Sequence, residues 1–338
     1  MSAELNRKIE LIMKLLEQTS NKNAVVELLK SKNLSFSGTW PELTEKRVIP
    51  AVQDNKLSIS ELTNLLATSE EHGRQHVFLY KLKPELIDSL TPEALTPILH
   101  TLGLDSLLKA PAVLDEPDEP TISDVRWDSD GALTIKVISK RVQREPVDEK
   151  LDAEGYIVLR YKPTTSRAVN LVKINPNGLV EVRISSKSNS TRYQEDVNNL
   201  LGMLKDIIPS AKLKAHPISL YPSKNNIWER REELSGIIRF SDATLKNDSG
   251  YTLRAATPDR ESDLLKDSGV RDSMANFKGG NVHCDSNNLF FSQREGYDTP
   301  SREVHVLMTG EYNEFAITTH CKSEDYKYVL QRVLEFNE

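Results

Sequence analysis

Apolar residues recur at helical spacing through the first hundred positions. Leu5, Ile9, Ile12 and Leu16 fall three or four apart and leave Glu4, Lys8 and Lys14 on the other side, which predicts an amphipathic helix. A polar TSNKN break follows, and a second helix is expected over 24–32. A third is expected from about 41 to 52, with Pro41 in a tolerated first-turn position. Ser58 and Ser60 precede ELTNLLATSEE, whose Leu62, Leu65 and Leu66 make the next stripe. Short helices are expected near 84–90 and 92–108, the second introduced by Thr91, Pro92 and Glu93.

The pattern then breaks. Residues 110–121, APAVLDEPDEPT, hold three prolines and four acids and read as an extended linker. Beyond it the period becomes two. VRWDSDGALTIKVIS alternates around a turn at Asp130-Gly131, and GYIVLRYKP and AVNLVKINPNGLVEVRIS continue the alternation, with a second tight turn at Asn177-Gly178. TRYQEDVNNLLGMLKDIIP is helical, with Val197, Leu200, Leu201, Leu204 and Ile208 on one face. From about 216, strands are expected at GIIRFSDATL, YTLRAAT, NLFFSQ, EVHVLMTG and EFAITTHC, with helices over 261–277 and 323–336. The expected fold class is α+β: an all-helical domain over 1–109, the linker at 110–121, and a mixed, mainly antiparallel β-rich domain with crossing helices over 122–338. That last region divides into possible sub-units near 122–215 and 216–338.

At 338 residues, 38% hydrophobic and 28% charged, the chain has the composition of a globular protein. Its longest apolar runs fall far short of the roughly 18–20 residues of a membrane span. The charged N-terminal stretch is unlike a signal peptide, and two cysteines do not make a disulfide framework, so a reducing, intracellular setting is expected. Net charge is −6, but it is unevenly placed. Between Lys136 and Arg192 there are 12 basic and 6 acidic residues, leaving the remainder of the chain at −12. Such polarity suits one face presented to an anion.

Several patterns carry candidate chemistry. Arg160, Lys162, Lys173, Arg183 and Lys187 lie on or beside expected strands, with Arg167 and Arg192 in the same basic region. Residues two apart share a sheet face, so Arg160 and Lys162 project together and aligned neighbours would form a cationic stripe along a phosphate backbone. In EEHGRQHVFLYKLK, Arg74 offers a basic edge while VFLY suits a core; His72 and His76 would meet only on a helix, which Gly73 weakens. His283-Cys284, His320-Cys321 and His305 lack the spacing of a zinc site. Asp128, Asp130, Glu181 and Asp196 are the acids a magnesium-dependent nuclease would draw on. There is no Walker A or GxGxxG sequence, and no cofactor, metal or catalytic residue is expected.

NLSFSGTWPELTEK, with the helix before it, resembles the SAP motif, a helix–turn–helix module of DNA- and RNA-binding proteins, over about 24–52. The matching places are Leu28 and Leu29, Asn33-Leu34, Ser37-Gly38, Leu43 and Lys46-Arg47. Trp40 stands where that family has a basic residue. The resemblance implies nucleic-acid contact through Lys46 and Arg47. The order of helical domain, acidic hinge and basic β-rich domain also resembles, over the whole chain, the centromere protein N family of DNA-associated kinetochore proteins. The expected function is non-enzymatic nucleic-acid binding, to DNA above RNA, within a bacterial defence or chromosome-associated complex. The helical domain would dock a protein partner, and no membrane is involved. The alternatives are a protein–protein adaptor subunit and a metal-dependent nuclease.

Overall fold

A computed structural model describes residues 3–19, 22–187, 192–208, 216–294 and 298–338. The N-terminal helices are α1 (Ala3–Thr19), α2 (Asn23–Ser31), α3 (Trp40–Leu43), α4 (Ile49–Gln53) and α5 (Ile59–Glu70). Ile9, Ile12, Leu16, Leu29, Leu43, Val48 and Leu62 close a small core of their own. Between α3 and α4 the backbone widens into a π turn over Thr44–Val48, just before Pro50, which cannot donate to an α-helical ladder. Ser58 and Glu61 form a capping box that starts α5.

The strands are β1 (Gly73–Lys81), β2 (Thr121–Trp127), β3 (Leu133–Leu151), β4 (Ile157–Ile174), β5 (Leu179–Ser185), β6 (Ile238–Asn247), β7 (Thr252–Ala256), β8 (Val282–Phe291), β9 (Val304–Met308) and β10 (Glu314–His320). They form one ten-stranded antiparallel sheet in the order β2-β3-β4-β5-β1-β10-β9-β8-β6-β7. The remaining α-helices among the described residues are α6 (Pro84–Ile87), α7 (Pro92–Thr101), α8 (Gln194–Met203), α9 (Tyr221–Glu229), α10 (Ser268–Asn276) and α11 (Ser323–Glu335). The fold is α+β, a helical region followed by a strand-rich part.

One expectation is corrected at the centre of the sheet. Residues 73–81, inside the stretch read as helical, are β1, which pairs with β5 on one side and β10 on the other. Its VFLY run has no alternation because both faces are buried. Val77 and Leu79 join the core under α9 and α11; Phe78 and Tyr80 join the core under α7 and α8. The sheet therefore takes strands from both sides of the acidic segment. That segment is strapped down: Ala112 N–H donates to Ser123 O at 2.7 Å, and Leu114 O accepts from Arg167 Nε at 2.8 Å.

Candidate functional site

Strands β3, β4 and β5 carry the basic region with β2 at their edge, and alternation sorts their side chains. Ile135, Val137, Val172, Ile174, Val180, Val182 and Ile184 go into the core under α7 and α8. Their neighbours Asp124, Arg126, Lys136, Lys173, Glu181 and Arg183 share the other face. The C-terminal end of α5 and the side of α11 close over it, leaving a polar cleft of about 490 Å³. Arg126 reaches Glu71 at 2.6 Å and Asp128 at 2.8 Å, and also contacts Asp124. Lys136 reaches Glu71 at 3.1 Å, and Lys173 lies between Asp128 at 2.9 Å and Asp130 at 3.2 Å. Glu181 accepts from Arg183 at 2.7 Å, from the Tyr326 hydroxyl at 2.7 Å and from Asn175 at 2.9 Å. The Arg183 guanidinium stacks 3.9 Å from the centre of the Tyr326 ring. Buried charges persist only when paired and hydrogen-bonded, and these are.

The electrostatics follow from that pairing. Burial alone would raise the Glu71 carboxyl, but the charges of Lys136 and Arg126 outweigh it and hold it at about 2. Burial, reinforced by Arg183, pushes His72 down to about 4, so its ring is neutral at pH 7. Burial also works against the charged form of Glu181, yet Arg183 and the Tyr326 and Asn175 hydrogen bonds keep it ionised.

The cationic stripe expected from the sequence is not assembled. Arg183 is 4% exposed and held by Glu181, and Lys173 and Arg167 are held by Asp128 and Glu70. Lys187 is paired with Asp196. Arg160 and Lys162 share a face as expected, but far out on the β3–β4 hairpin, and Arg160 is held by Asp148 on the opposite strand. Arg192 is exposed just before α8, and the SNST of the preceding turn (188–191) lies outside the described residues. Charge spacing along the chain reveals little of this: Lys173, Arg160 and Arg167 meet their acids across the sheet or from α5 and Lys187 meets one on α8, and only Arg183 has its acid nearby, two residues back on the same strand. The same contacts occupy the acids of the nuclease reading, Asp128, Asp130, Glu181 and Asp196.

The other candidates separate as well. His72 sits in the turn after α5 with Nδ1 3.0 Å from Thr68 O, whereas His76, on β1, stacks on Tyr193 and contacts Glu314. Both thiols are buried, and burial pushes Cys284 and Cys321 up to about 12, far from a nucleophile's range. His305 is held between Thr318 and Asn288. Among the described residues no three potential metal ligands converge, and no helix is long and apolar enough to cross a membrane. At the SAP-like corner, Trp40 packs on the helical core, Lys46 pairs with Glu42 at 3.1 Å, and Arg47 Nε lies 3.4 Å from Ser37 O.

What the sequence reading missed is a surface. β2 pairs with β3 only up to Ile138, and β5 pairs with β4 only from Leu171. Beyond those points β3 and β4 continue alone as a two-stranded ribbon, turning at Asp152–Gly155. The register puts Leu151 opposite Ile157, Glu149 opposite Leu159, Pro146 opposite Tyr161, Arg144 opposite Pro163 and Val142 opposite Thr165. A bulge at Val147 keeps these five rungs on one face, and every residue on them is exposed. Leu151 is 73% exposed, Ile157 and Val142 63% each. The other face carries Lys150, Asp148, Arg160, Lys162 and Glu145. The signal was present in the alternation of Ile157, Leu159 and Tyr161, which reads as an ordinary buried strand face until the register shows nothing above it.

At the ribbon's base a groove of about 370 Å³ is lined by Arg74, Arg141, Arg167, Ser166 and Ser185 together with the acids Glu70 and Glu116. Arg74 is exposed, with a left-handed φ of 49°. No protein-family model matches the chain, and no curated protein matches its sequence.

Proposed function

We propose that this chain is a binding protein that enters a larger assembly through its β3–β4 ribbon. The uncovered apolar face carries this reading. Exposed apolar patches of this kind mark interaction sites, and an isolated two-stranded ribbon is marginal in water unless something packs on it. Pro146, Pro163 and the Val147 bulge interrupt both ribbon edges, which disfavours strand addition and leaves the face as the contact. A tagged chain recovered from its native cells should run well above its 38.2 kDa monomer mass. Leu151→Lys with Ile157→Lys should return it to that mass with unchanged circular dichroism. A complex that survives both changes refutes the ribbon as the docking element.

Arg74 and Arg141 of the basal groove favour a second reading, in which an anionic backbone is gripped there. That keeps nucleic acid as a ligand but moves the grip from the strands to Arg74 and its neighbours. DNA mobility shifts across a salt series test it: Arg74→Glu should abolish binding, and binding that persists unchanged refutes it.

A further inference from the structure

Resting on the ribbon as the docking element, we infer that its apolar face is covered by the same face of a second copy of this chain, with the two ribbons antiparallel. The face is self-complementary about its middle rung, Pro146 and Tyr161. A two-fold axis through that rung, in the plane of the contact and across the strands, lays β3 on β3 and β4 on β4. On β4 the rungs fall at 157, 159, 161, 163 and 165, symmetrically about Tyr161. Leu159 then meets Pro163 of the second copy, and Ile157 meets the methyl group of Thr165. On β3, Leu151 meets Val142, and Glu149, one of two charged residues on the face, meets Arg144, the other. Neither Glu149 nor Arg144 has an ion-pair partner within its own chain among the described residues.

Charge along the ribbon supports the antiparallel sense. The outer part, 147–160, has four acids and two bases, whereas the inner parts, 139–146 and 161–167, have five bases and one acid and stay basic even with Lys140 paired to Asp118 and Arg167 to Glu70. Antiparallel packing sets each acidic tip against the other copy's basic base; parallel packing sets like against like. The same distribution argues against nucleic acid on this face, because the tip would repel phosphate. The contact spans eight residue steps on β4, about 27 Å at strand rise. With a width of roughly 15 Å it removes about 800 Å² of surface from water in all, below stable specific interfaces and in the range of weak, transient ones. A dimer that dissociates in the micromolar range is therefore expected.

Sedimentation equilibrium on the purified chain, from about 1 to 200 μM, tests the inference. The average mass should rise from 38.2 kDa towards twice that value. Glu149→Arg and Arg144→Glu should each weaken the dimer at least about tenfold, since each replaces two attractive contacts by two repulsive ones. An equimolar mixture of the two variants should recover the dimer, because both cross-pairs are then opposite in sign, and the double exchange in one chain should do the same. A wild-type chain monomeric throughout the series overturns the inference, as does a dimer that ignores these variants or a mixture that fails to recover. A monomer that shifts duplex DNA and loses it on Arg144→Glu also overturns it, in favour of nucleic acid on the ribbon. If the purified chain is monomeric while the complex from native cells still collapses on Leu151→Lys with Ile157→Lys, only the second copy is refuted and the docking ribbon stands.

Discussion

Replacing Glu181 by Leu tests whether the charged face beneath α5 and α11 holds the fold together. Glu181 is 1% exposed and takes hydrogen bonds from Arg183, Tyr326 and Asn175. Without it the Arg183 guanidinium keeps only its bond to Glu71 O, at 3.0 Å, and its stack on Tyr326. An uncompensated buried charge costs about 3–5 kcal/mol. The orphaned Tyr326 hydroxyl falls inside that range, since the ring can shift towards the cleft. Arg183→Met leaves a buried carboxylate that can escape its penalty by protonation, so its cost is smaller and grows with pH. The double variant removes both charges and should cost less than the two singles together, by about 2–3 kcal/mol of coupling. Urea unfolding followed by tryptophan fluorescence measures all three, with the denaturant slope checked for constancy. Singles within about 1 kcal/mol of the parent, or an additive double, would refute the structural role. Stabilisation by either single would point instead to charges kept for a ligand at the expense of the fold.

Three further outcomes follow from the same geometry. Gly73 sits at φ +79° with the site of a Cβ 2.1 Å from Thr319 O, so Gly73→Ala should cost at least about 2 kcal/mol in urea unfolding; a change under 1 kcal/mol refutes the close approach of β1 to β10. Burial holds His72, His305 and His320 at about 4, while in the unfolded chain they titrate near 6.5. The unfolded state thus binds more protons between those values, and stability falls as pH drops from about 6.5 towards 4 and is flat above. The slope is at most about 1.4 kcal/mol per pH unit for each ring and less to the extent that solvent reaches it, as it does at all three. A melting temperature unchanged between pH 7 and 4.5 refutes this. Residues 111–338 expressed alone lack β1 and should be insoluble, recovering only when co-expressed with 1–110; a soluble fragment with native circular dichroism would show that β5 and β10 close without β1.

Much of the fold could be read from local periodicity. The helices of the first seventy residues, the strand-rich remainder and the turns at Gly131 and Gly178 each follow from signals a few residues long. β1 was missed because its cues point two ways. A run buried on both faces has no period, and its left-handed entrance at Gly73 and Arg74 looks like a helix break. Its strand character is conferred by β5 and β10, over 100 and over 230 residues away in the chain. The prolines of the acidic segment mark it as a separator, but its backbone and side chains are tied to β2, β4 and α1.

The basic region marks the limit of reading charge along a chain. Counting from Lys136 to Arg192 gives an excess of cations, yet its central strands stack Lys173 against Asp128 and Arg183 against Glu181, and Arg167 and Lys136 are met by Glu70 and Glu71 from the end of α5. The acids of the remaining chain were not a repelling background; several of them are the counterions. Sequence separation hides most of this, because Lys173, Lys136 and Arg167 meet acids 45 or more residues away and leave no local mark; Arg183 and Glu181, two apart on one strand, are the exception. Beside those pairs, the ribbon has hydrophobic side chains facing water, and Glu149 and Arg144 stand two rungs apart with no ion-pair partner in their own chain among the described residues. Apolar surface that the rest of the molecule does not cover, with charges placed to match their own rotated image, is the feature a docking surface needs and a fold alone does not.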